Sequence, residues 1–303
     1  QLGLVHVPIY PTISAEDLEY IFKHAEISTL FISSKEYYER SSDIIKNCSN
    51  IKHAYSFEQV SSIINYSDFR EIGKTHLLKN ISEIESIKSS IVTDDLISII
   101  YTSGTTGRPK GAMISHENIL SDAIEVAKLH HLDHRHTVLS FLPLSHIFER
   151  MFHYLYLILG IKIYYAESLN TIGENLKELH VHGFLTVPRL LEKIFDRFMT
   201  AGASLHGLKR MVFFWAVNLG YKFKIGKNNK FYLLKLRLAN YLVFKKLREA
   251  LGNEISFIGC GGAALQSRLE RIFNAARIPV YVGYGLTETS PVVSVNFGKY
   301  PNI

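Results

Sequence analysis

The chain is poor in cysteine. Cys48 and Cys260 are the only two among 303 residues, too few for a disulfide framework or a cysteine zinc cluster, and they point to a reducing, intracellular setting. Eight prolines and nineteen glycines exclude collagen-like and low-complexity classes. No apolar run reaches the ~20 residues that a membrane span needs; the longest, 151–165, is interrupted by His153 and Lys162. Acidic residues are missing altogether between 205 and 248, where eleven Lys and Arg stand. What is abundant is core material: 47% of residues are hydrophobic and only 20% are charged, so disorder does not describe the chain as a whole. Its length suits about two domains or one large α/β unit.

The formal charge of +6 is therefore one-sided, because the rest of the chain is net acidic. A basic block can attract nucleic acid, an anionic lipid surface or phosphates of a ligand. The stretch 231–247 is apolar almost all round a helical wheel, which favours a partly buried helical pair with snorkelling lysines. Contact with an anionic membrane or with ligand phosphates is the next reading, and nucleic acid the least favoured, since no nucleic-acid module is recognisable.

Short β-branched runs alternate with longer helical patterns, so the expected fold class is α/β. Strands are expected at 5–9, 29–32, 96–101, 137–141, 162–165, 184–187, 255–258 and 280–282. Ser14 is a candidate cap for a helix from Ala15, with Glu16 and Asp17 in its first turn. Further helices are expected from Ser115 or His116 towards Lys128, and over 190–200 and 266–276. The polar stretch 81–95 is expected to be a connector.

The chemistry is concentrated after the strand at 96–101. It empties into YTSGTTGRPKG at 101–111, a string with three glycines, four Ser/Thr hydroxyls and two cations. Glycines let backbone N–H groups approach an anion and hydroxyls add donors, which is what a polyphosphate needs. It is not a Walker A loop, because Lys110 stands three residues after Gly107 and precedes Gly111.

YTSGTTGRPKG resembles the phosphate-loop signature of the adenylate-forming superfamily. YGLTET at 284–289 is similar to that superfamily's YGxTE motif, and GGAAL at 261–265 to its glycine-rich strand end. LPLSHIFER at 142–150, VPRLLEKI at 187–194 and VPIYPTIS at 7–14 resemble bacterial long-chain fatty acyl-CoA synthetases. The resemblance implies layered mixed sheets flanked by helices, as in the large N-terminal domain of such enzymes. It also divides the chain into a 1–92 N-terminal part and a 93–303 phosphate-loop and acyl-adenylate part. The start at Gln1, and the lack of the family's ribose-binding, hinge and catalytic-lysine motifs, are expected of an internal fragment without the small C-terminal domain, unable to complete thioester formation alone.

What the resemblance implies chemically is ATP-dependent activation of a long-chain fatty acid to acyl-adenylate, then transfer to coenzyme A. Thr102, Ser103, Gly104, Thr105, Thr106 and Gly107 would hold the β- and γ-phosphates, with Lys110 adding positive charge. Glu288 would ligate Mg²⁺, Thr287 would contact the α-phosphate, and Tyr284 with Gly285 would border the adenine. Gly261, Gly262 and Ala263 would leave room for acyl chain and adenine, and His146 would sit near the reacting carboxylate or guard an acyl tunnel. Partners would be fatty acid, ATP and CoA, at a cytoplasmic location with peripheral contact on the inner membrane face through 205–248 still open.

Rival readings are an adenylate-former that loads a carrier protein and a non-catalytic nucleotide- or membrane-binding module. Weaker signals fall away. The loose Gly259-x-Gly261-x-x-Ala264 fingerprint has no acid for a ribose after the next strand. His130, His131, Asp133, His134 and His136 read as a solvated loop rather than a metal site, and no Gly-x-Ser-x-Gly elbow is present. Trp215, the only tryptophan, reads as a core or interface anchor.

Overall fold

A computed structural model describes residues 2–103, 107–129 and 132–296. It groups the chain into two compact units, Gln1–Ile119 and Leu120–Ile303. This partition differs from the division at 92/93, which follows the distribution of motifs.

In the first unit, α1 (Ala15–His24) starts where the Ser14 hydroxyl accepts the Asp17 N–H at 3.1 Å, and it buries Leu18, Ile21 and Phe22 along one stripe. After it come β1 (Thr29–Ile32), α2 (Lys35–Asn47), β2 (His53–Ser56) and β3 (Ile64–Asn65), the strands forming a parallel sheet in the order β1-β2-β3. Leu18, Phe22 and Cys48 are the centre of its small core. The connector expected at 81–95 is instead mostly helix. α3 (Tyr66–Ser90) has no buried residue and is held by its Asn65 cap and by i,i+3 pairs such as Lys74–Glu71 and Lys88–Glu85. Its polarity reflects exposure, not irregular backbone. The strand expected at 5–9 reduces to one bridge, His6 opposite Ser98, because Pro8 has no N–H for a ladder. β4 (Leu96–Thr102) then pairs antiparallel with β5 (Lys110–Ser115), which the sequence pattern had not suggested.

α4 (His116–Leu129) leads into the second unit and contains the division between the two. There follow β6 (Thr137–Ser140), α5 (Ile147–Leu159), β7 (Lys162–Tyr165), α6 (Ile172–Leu179), β8 (Gly183–Thr186), α7 (Pro188–Ala203), α8 (Gly207–Tyr221) and α9 (Lys230–Ala239). A π-helical turn (Asn240–Phe244) joins α9 to α10 (Lys245–Glu249). The chain closes with β9 (Phe257–Cys260), α11 (Ser267–Ala275), β10 (Val280–Gly285), a 3₁₀ turn (Thr287–Thr289) and β11 (Val292–Val295).

The sheet order is β11-β10-β9-β8-β6-β7, parallel except for the β11 edge. Strand alternation splits the core into two layers. Leu139, Phe184 and Ile258 face the layer that contains α6 to α11, while Val138, Leu185 and Phe257 face α4 and α5. The basic block is a helical pair, as expected: α8 packs on α9 and the π turn. Asn240 and Arg248 lock this pair to the end of α11 through bonds to the Ala275 and Ala276 carbonyls, both at 2.8 Å. Trp215 is partly buried against the same layer. Among the described residues no helix is long and apolar enough to cross a membrane.

Candidate active site

In the first unit the phosphate-loop string is the turn of the β4–β5 hairpin. Thr102 stands opposite Lys110 and Tyr101 opposite Gly111, so the hairpin sets hydroxyl and cation side by side at the loop's neck. Ser103, Gly107 and Lys110 are exposed, and Gly107 has φ +91°, a conformation that favours glycine. Gly104, Thr105 and Thr106 lie outside the described residues. The neck is braced by α1. The Tyr101 hydroxyl shares a 2.6 Å hydrogen bond with His24 Nδ1, and the Arg108 guanidinium lies 5.6 Å over the Tyr20 ring. Burial raises the Tyr101 pKa, keeping the phenol neutral. This is a strand–loop–strand arrangement, so an anion here meets loop N–H groups and side chains rather than a helix N-terminus.

In the second unit, the strand order reverses between β6 and β8, and ligands of such sheets bind outside the carboxyl ends at that reversal. The segments leaving the sheet there carry the motifs. After β6, the chain reaches His146, whose Nδ1 accepts the Phe148 N–H at 3.3 Å and caps α5. After β8 comes Val187-Pro188, with proline at the first helical position of α7. After β9 comes the turn Gly261-Gly262-Ala263, joined to β8 by the Gly261 N–H donating to the Thr186 carbonyl at 3.1 Å. A Cβ on Gly261 would stand 3.1 Å from the Phe148 ring, so the turn and the head of α5 touch. Gly262 has φ +80°.

Next to β9, β10 ends in Tyr284 and Gly285, followed by Leu286, Thr287 and Glu288. Tyr284 and Glu288 are exposed and Thr287 is half-buried. A Cβ at Gly285 would fall 1.8 Å from the Pro291 carbonyl oxygen, which explains the glycine. Thr289 pins this turn: its Oγ1 accepts the Leu286 N–H at 3.0 Å and lies 2.7 Å from the Pro291 carbonyl oxygen. The structure therefore gathers Gly261, Gly262, Ala263, Tyr284, Gly285, Thr287 and Glu288 on two neighbouring strand ends, with His146 on the segment that Phe148 anchors to them.

Beneath the glycine turn, on the α4–α5 face, lies a narrow cavity of about 30 Å³ lined by Phe148, Phe152, Leu155, Leu185, Phe257 and Tyr281, among others. Its wall is almost wholly apolar. Cys260 also borders it, and burial pushes that thiol up to about 12, which removes it as a nucleophile.

Burial also lowers the His146 pKa, favouring a neutral ring whose Nδ1 stays free of a proton to accept the capping bond. Two carboxyls with raised pKa values near these segments were not singled out from sequence. Glu149, next to the cap, is 1% exposed; burial raises its pKa to about 7 against the opposing hydrogen bond from Ser140. Asp122 accepts the Val292 N–H at 2.8 Å, tying α4 to β11 behind the Thr287–Glu288 turn, and burial raises it to about 6. Glu149 stands inside the HIFER string, where its place on the inward stripe of α5 was a usable signal. Asp122 had none, since its partner is 170 positions away.

The histidine-rich stretch behaves as a loop. Asp133 is occupied by Arg135 and by His136 at 3.1 Å, and its pKa is held well down chiefly by the Arg135 hydrogen bonds. His130 and His131 lie outside the described residues. Among the described residues no group of three His, Cys, Asp or Glu is placed to hold a metal.

Comparison with known proteins places the chain in a family and the fold in a class. The sequence model of the family described as "AMP-binding enzyme" matches residues 1–302. The chain is 33% identical over 304 residues to the human long-chain-fatty-acid–CoA ligase ACSBG2, covering 95% of this chain and 45% of that protein. It is 31% identical to long chain acyl-CoA synthetase 4 of Arabidopsis thaliana, covering 95% of this chain and 44% of that one. The crystal structure of the N-terminal domain of FACL13 from Mycobacterium tuberculosis superposes with a TM-score of 0.64 at 17% identity, over 97% of this chain and 59% of that one. The chain thus spans less than half the length of both sequence relatives, and its α/β architecture is that of the N-terminal domain of adenylate-forming enzymes.

Proposed function

Because the chain belongs to the AMP-binding enzyme family, we propose that it provides the ATP- and acyl-binding part of a long-chain fatty acyl-CoA synthetase. The reaction joins a fatty carboxylate to the α-phosphorus of ATP with release of pyrophosphate, then passes the acyl group to the thiol of CoA with release of AMP. The observation that carries this reading is the pairing of the glycine turn Gly261–Ala263 with the Leu286–Glu288 turn at adjacent parallel strand ends above an apolar cavity. Relatives named as long-chain acyl-CoA ligases support the choice of acid and thiol.

The first step needs no general base, because a carboxylate is already a nucleophile; positioning and neutralisation of phosphate charge are what the protein supplies. Ser103, Gly107 and the Thr102–Lys110 pair of the hairpin neck would bind the β- and γ-phosphates, together with Gly104, Thr105 and Thr106. Thr287 would donate to the α-phosphate, and Tyr284 and Gly285 would border the adenine. Neutral His146, capping α5, would orient the fatty carboxylate. The hydrocarbon would enter between Phe148 and the glycine turn, and a cavity of about 30 Å³ requires the Phe148 and Phe152 rings to swing aside as it does so.

Magnesium fits this donor set. Mg²⁺ prefers oxygen and is commonly held by one or two carboxylates plus substrate phosphates, and Glu288 is an exposed carboxylate beside the Thr287 hydroxyl, with no competing nitrogen or sulfur cluster among the described residues. Held there by Glu288, the ion would neutralise phosphate charge.

A second reading, of partner rather than reaction, comes from α9. Phe231, Leu234, Leu238 and Tyr241 are all exposed and fall on one helical stripe, flanked by Lys230, Lys235 and Arg237. An anionic membrane surface matches both halves of that stripe.

The test of the reaction, made on the full-length protein, follows pyrophosphate release and acyl-CoA formation with ATP, Mg²⁺ and a series of fatty acids, beside Glu288→Ala. The expected result is chain-length-dependent release of both products, reduced by at least about 100-fold in the variant. Pyrophosphate without acyl-CoA, but with loading of a carrier protein, would move the acceptor. Absence of pyrophosphate with every acid would leave a binding module.

A further inference from the structure

The opposite face of the sheet carries a second cavity that the reaction does not use. It measures about 320 Å³, within the range of roughly 300–1,000 Å³ typical of small-molecule sites. α6, α7 and α10 wall it, and none of the active-site candidates lines it. Its floor is hydrocarbon: Ile172, Leu176, Phe198, Leu247 and Leu251 are buried, and Ile194 is half-buried. Its rim is cationic, with Lys177, Lys193, Arg197 and Lys246, and no Asp or Glu lines it.

The α7 wall shows how unusual this composition is. Leu190, Lys193, Ile194, Arg197, Phe198 and Ala201 recur at helical spacing, so the flank of α7 beside its buried stripe brings apolar and cationic side chains to one wall of the cavity. Lys193 and Arg197 stand four residues apart, where like charges on a helix destabilise each other. Glu192 and Asp196 line the neighbouring cleft together with Lys193 and Arg197, but neither carboxylate forms an ion pair with them. Glu192 is engaged by Arg189 at 3.6 Å and Gln266 at 3.1 Å. Glu249 is shared by Lys245 and Lys246 at 3.8 and 3.3 Å. Among the described residues, Lys177, Lys193 and Arg197 have no carboxylate partner.

A hydrocarbon floor takes an alkyl chain, a cationic rim in which Lys177, Lys193 and Arg197 lack a carboxylate partner takes an anionic head, and a cavity of this size takes one chain rather than two. We propose that this cavity is a second acyl site that binds a single long alkyl chain with an anionic head group, separated by the sheet from the cavity under Gly261. Substrate and product of the proposed reaction, a fatty carboxylate and its CoA thioester, share that chemistry. The choice of these two ligands rests on the proposed reaction, whereas the site itself rests on the cavity's lining.

The test titrates the purified protein with a fluorescent long-chain fatty acid. The comparison is between the native sequence, a Lys193→Glu/Arg197→Glu variant, an Ile194→Trp variant that fills the floor, and Glu288→Ala. Two classes of binding are expected in the native protein and in Glu288→Ala, so failure of the catalytic assignment leaves this result standing. In the charge-reversed and filled variants one class weakens by about tenfold or more, as expected when complementary charge is reversed or the floor is blocked. Melting temperatures should stay unchanged, since Lys193 and Arg197 are exposed. Displacement by unlabelled fatty acid or by acyl-CoA identifies substrate or product as the occupant. Binding that neither the charge-reversed nor the filled variant weakens, whether in one class or two, overturns the proposal.

Discussion

Glu149 is held in a place that penalises its charge. It is 1% exposed on α5, its Oε2 has no partner, and burial raises its pKa from 4.5 to about 7. A carboxyl with a raised folded-state pKa binds its proton more tightly folded than unfolded. Its contribution to stability is therefore complete below pH 4.5 and declines as pH rises towards 7, beyond which the penalty is constant. At about 1.4 kcal/mol per pKa unit, the decline is roughly 3–4 kcal/mol. Glu149→Gln has no charge to bury and keeps a hydrogen-bonding head. It should match the native protein at pH 4 and exceed it by about 3–4 kcal/mol at pH 8, read from urea unfolding at several pH values. An equal difference at every pH would show that the carboxyl is ionised throughout.

At the scale of elements, the turn that presents Thr287 and Glu288 depends on a contact from outside its own hairpin. Asp122 on α4 accepts the Val292 N–H, and Thr289 closes the turn from within. Asp122→Ala leaves that N–H without its acceptor, an effect of about 1–3 kcal/mol. Asp122→Asn retains an oxygen for it. Loss of stability in the alanine variant with recovery in the asparagine variant, together with a raised KM for ATP in alanine alone, is the expected pattern. Equal losses in both would assign the role to the charge. The same elements show what could be read from sequence. The central parallel strands β6 and β8 were legible because strands buried on both faces are continuous apolar runs. The motifs at 101–111, 261–265 and 284–289 were legible because glycine and hydroxyl clusters have few other uses. β2, β3 and β11 are two to four residues long and half-exposed, so no period marks them. The roles of Asp122 and Glu149 are assigned by tertiary burial and by a partner far along the chain, which a local pattern does not encode.

At the scale of the molecule, the +6 charge comes from one place. Residues 205–248 hold eleven cations and no acid, while the remainder is net acidic. On the membrane contact proposed above, such a distribution would direct the basic block to an anionic surface and leave the rest repelled by it. The exposed apolar stripe of α9 would dock on the same surface; Lys235 lies 4.3 Å over the Phe231 ring, where its stem shields apolar surface. Each Lys or Arg near an anionic bilayer contributes about 1 kcal/mol, so Lys235→Glu/Arg237→Glu should weaken binding to anionic vesicles by well over tenfold. Phe231→Ser/Leu238→Ser should weaken it without altering its salt dependence. Raising salt from 0.15 to 1 M shortens the screening length from about 8 Å to about 3 Å and should release the native protein. Cosedimentation with anionic and zwitterionic vesicles measures all three effects. Equal binding to both kinds of vesicle, unaffected by salt, would reduce the basic block to a structural helical pair whose lysines merely keep its surface wet.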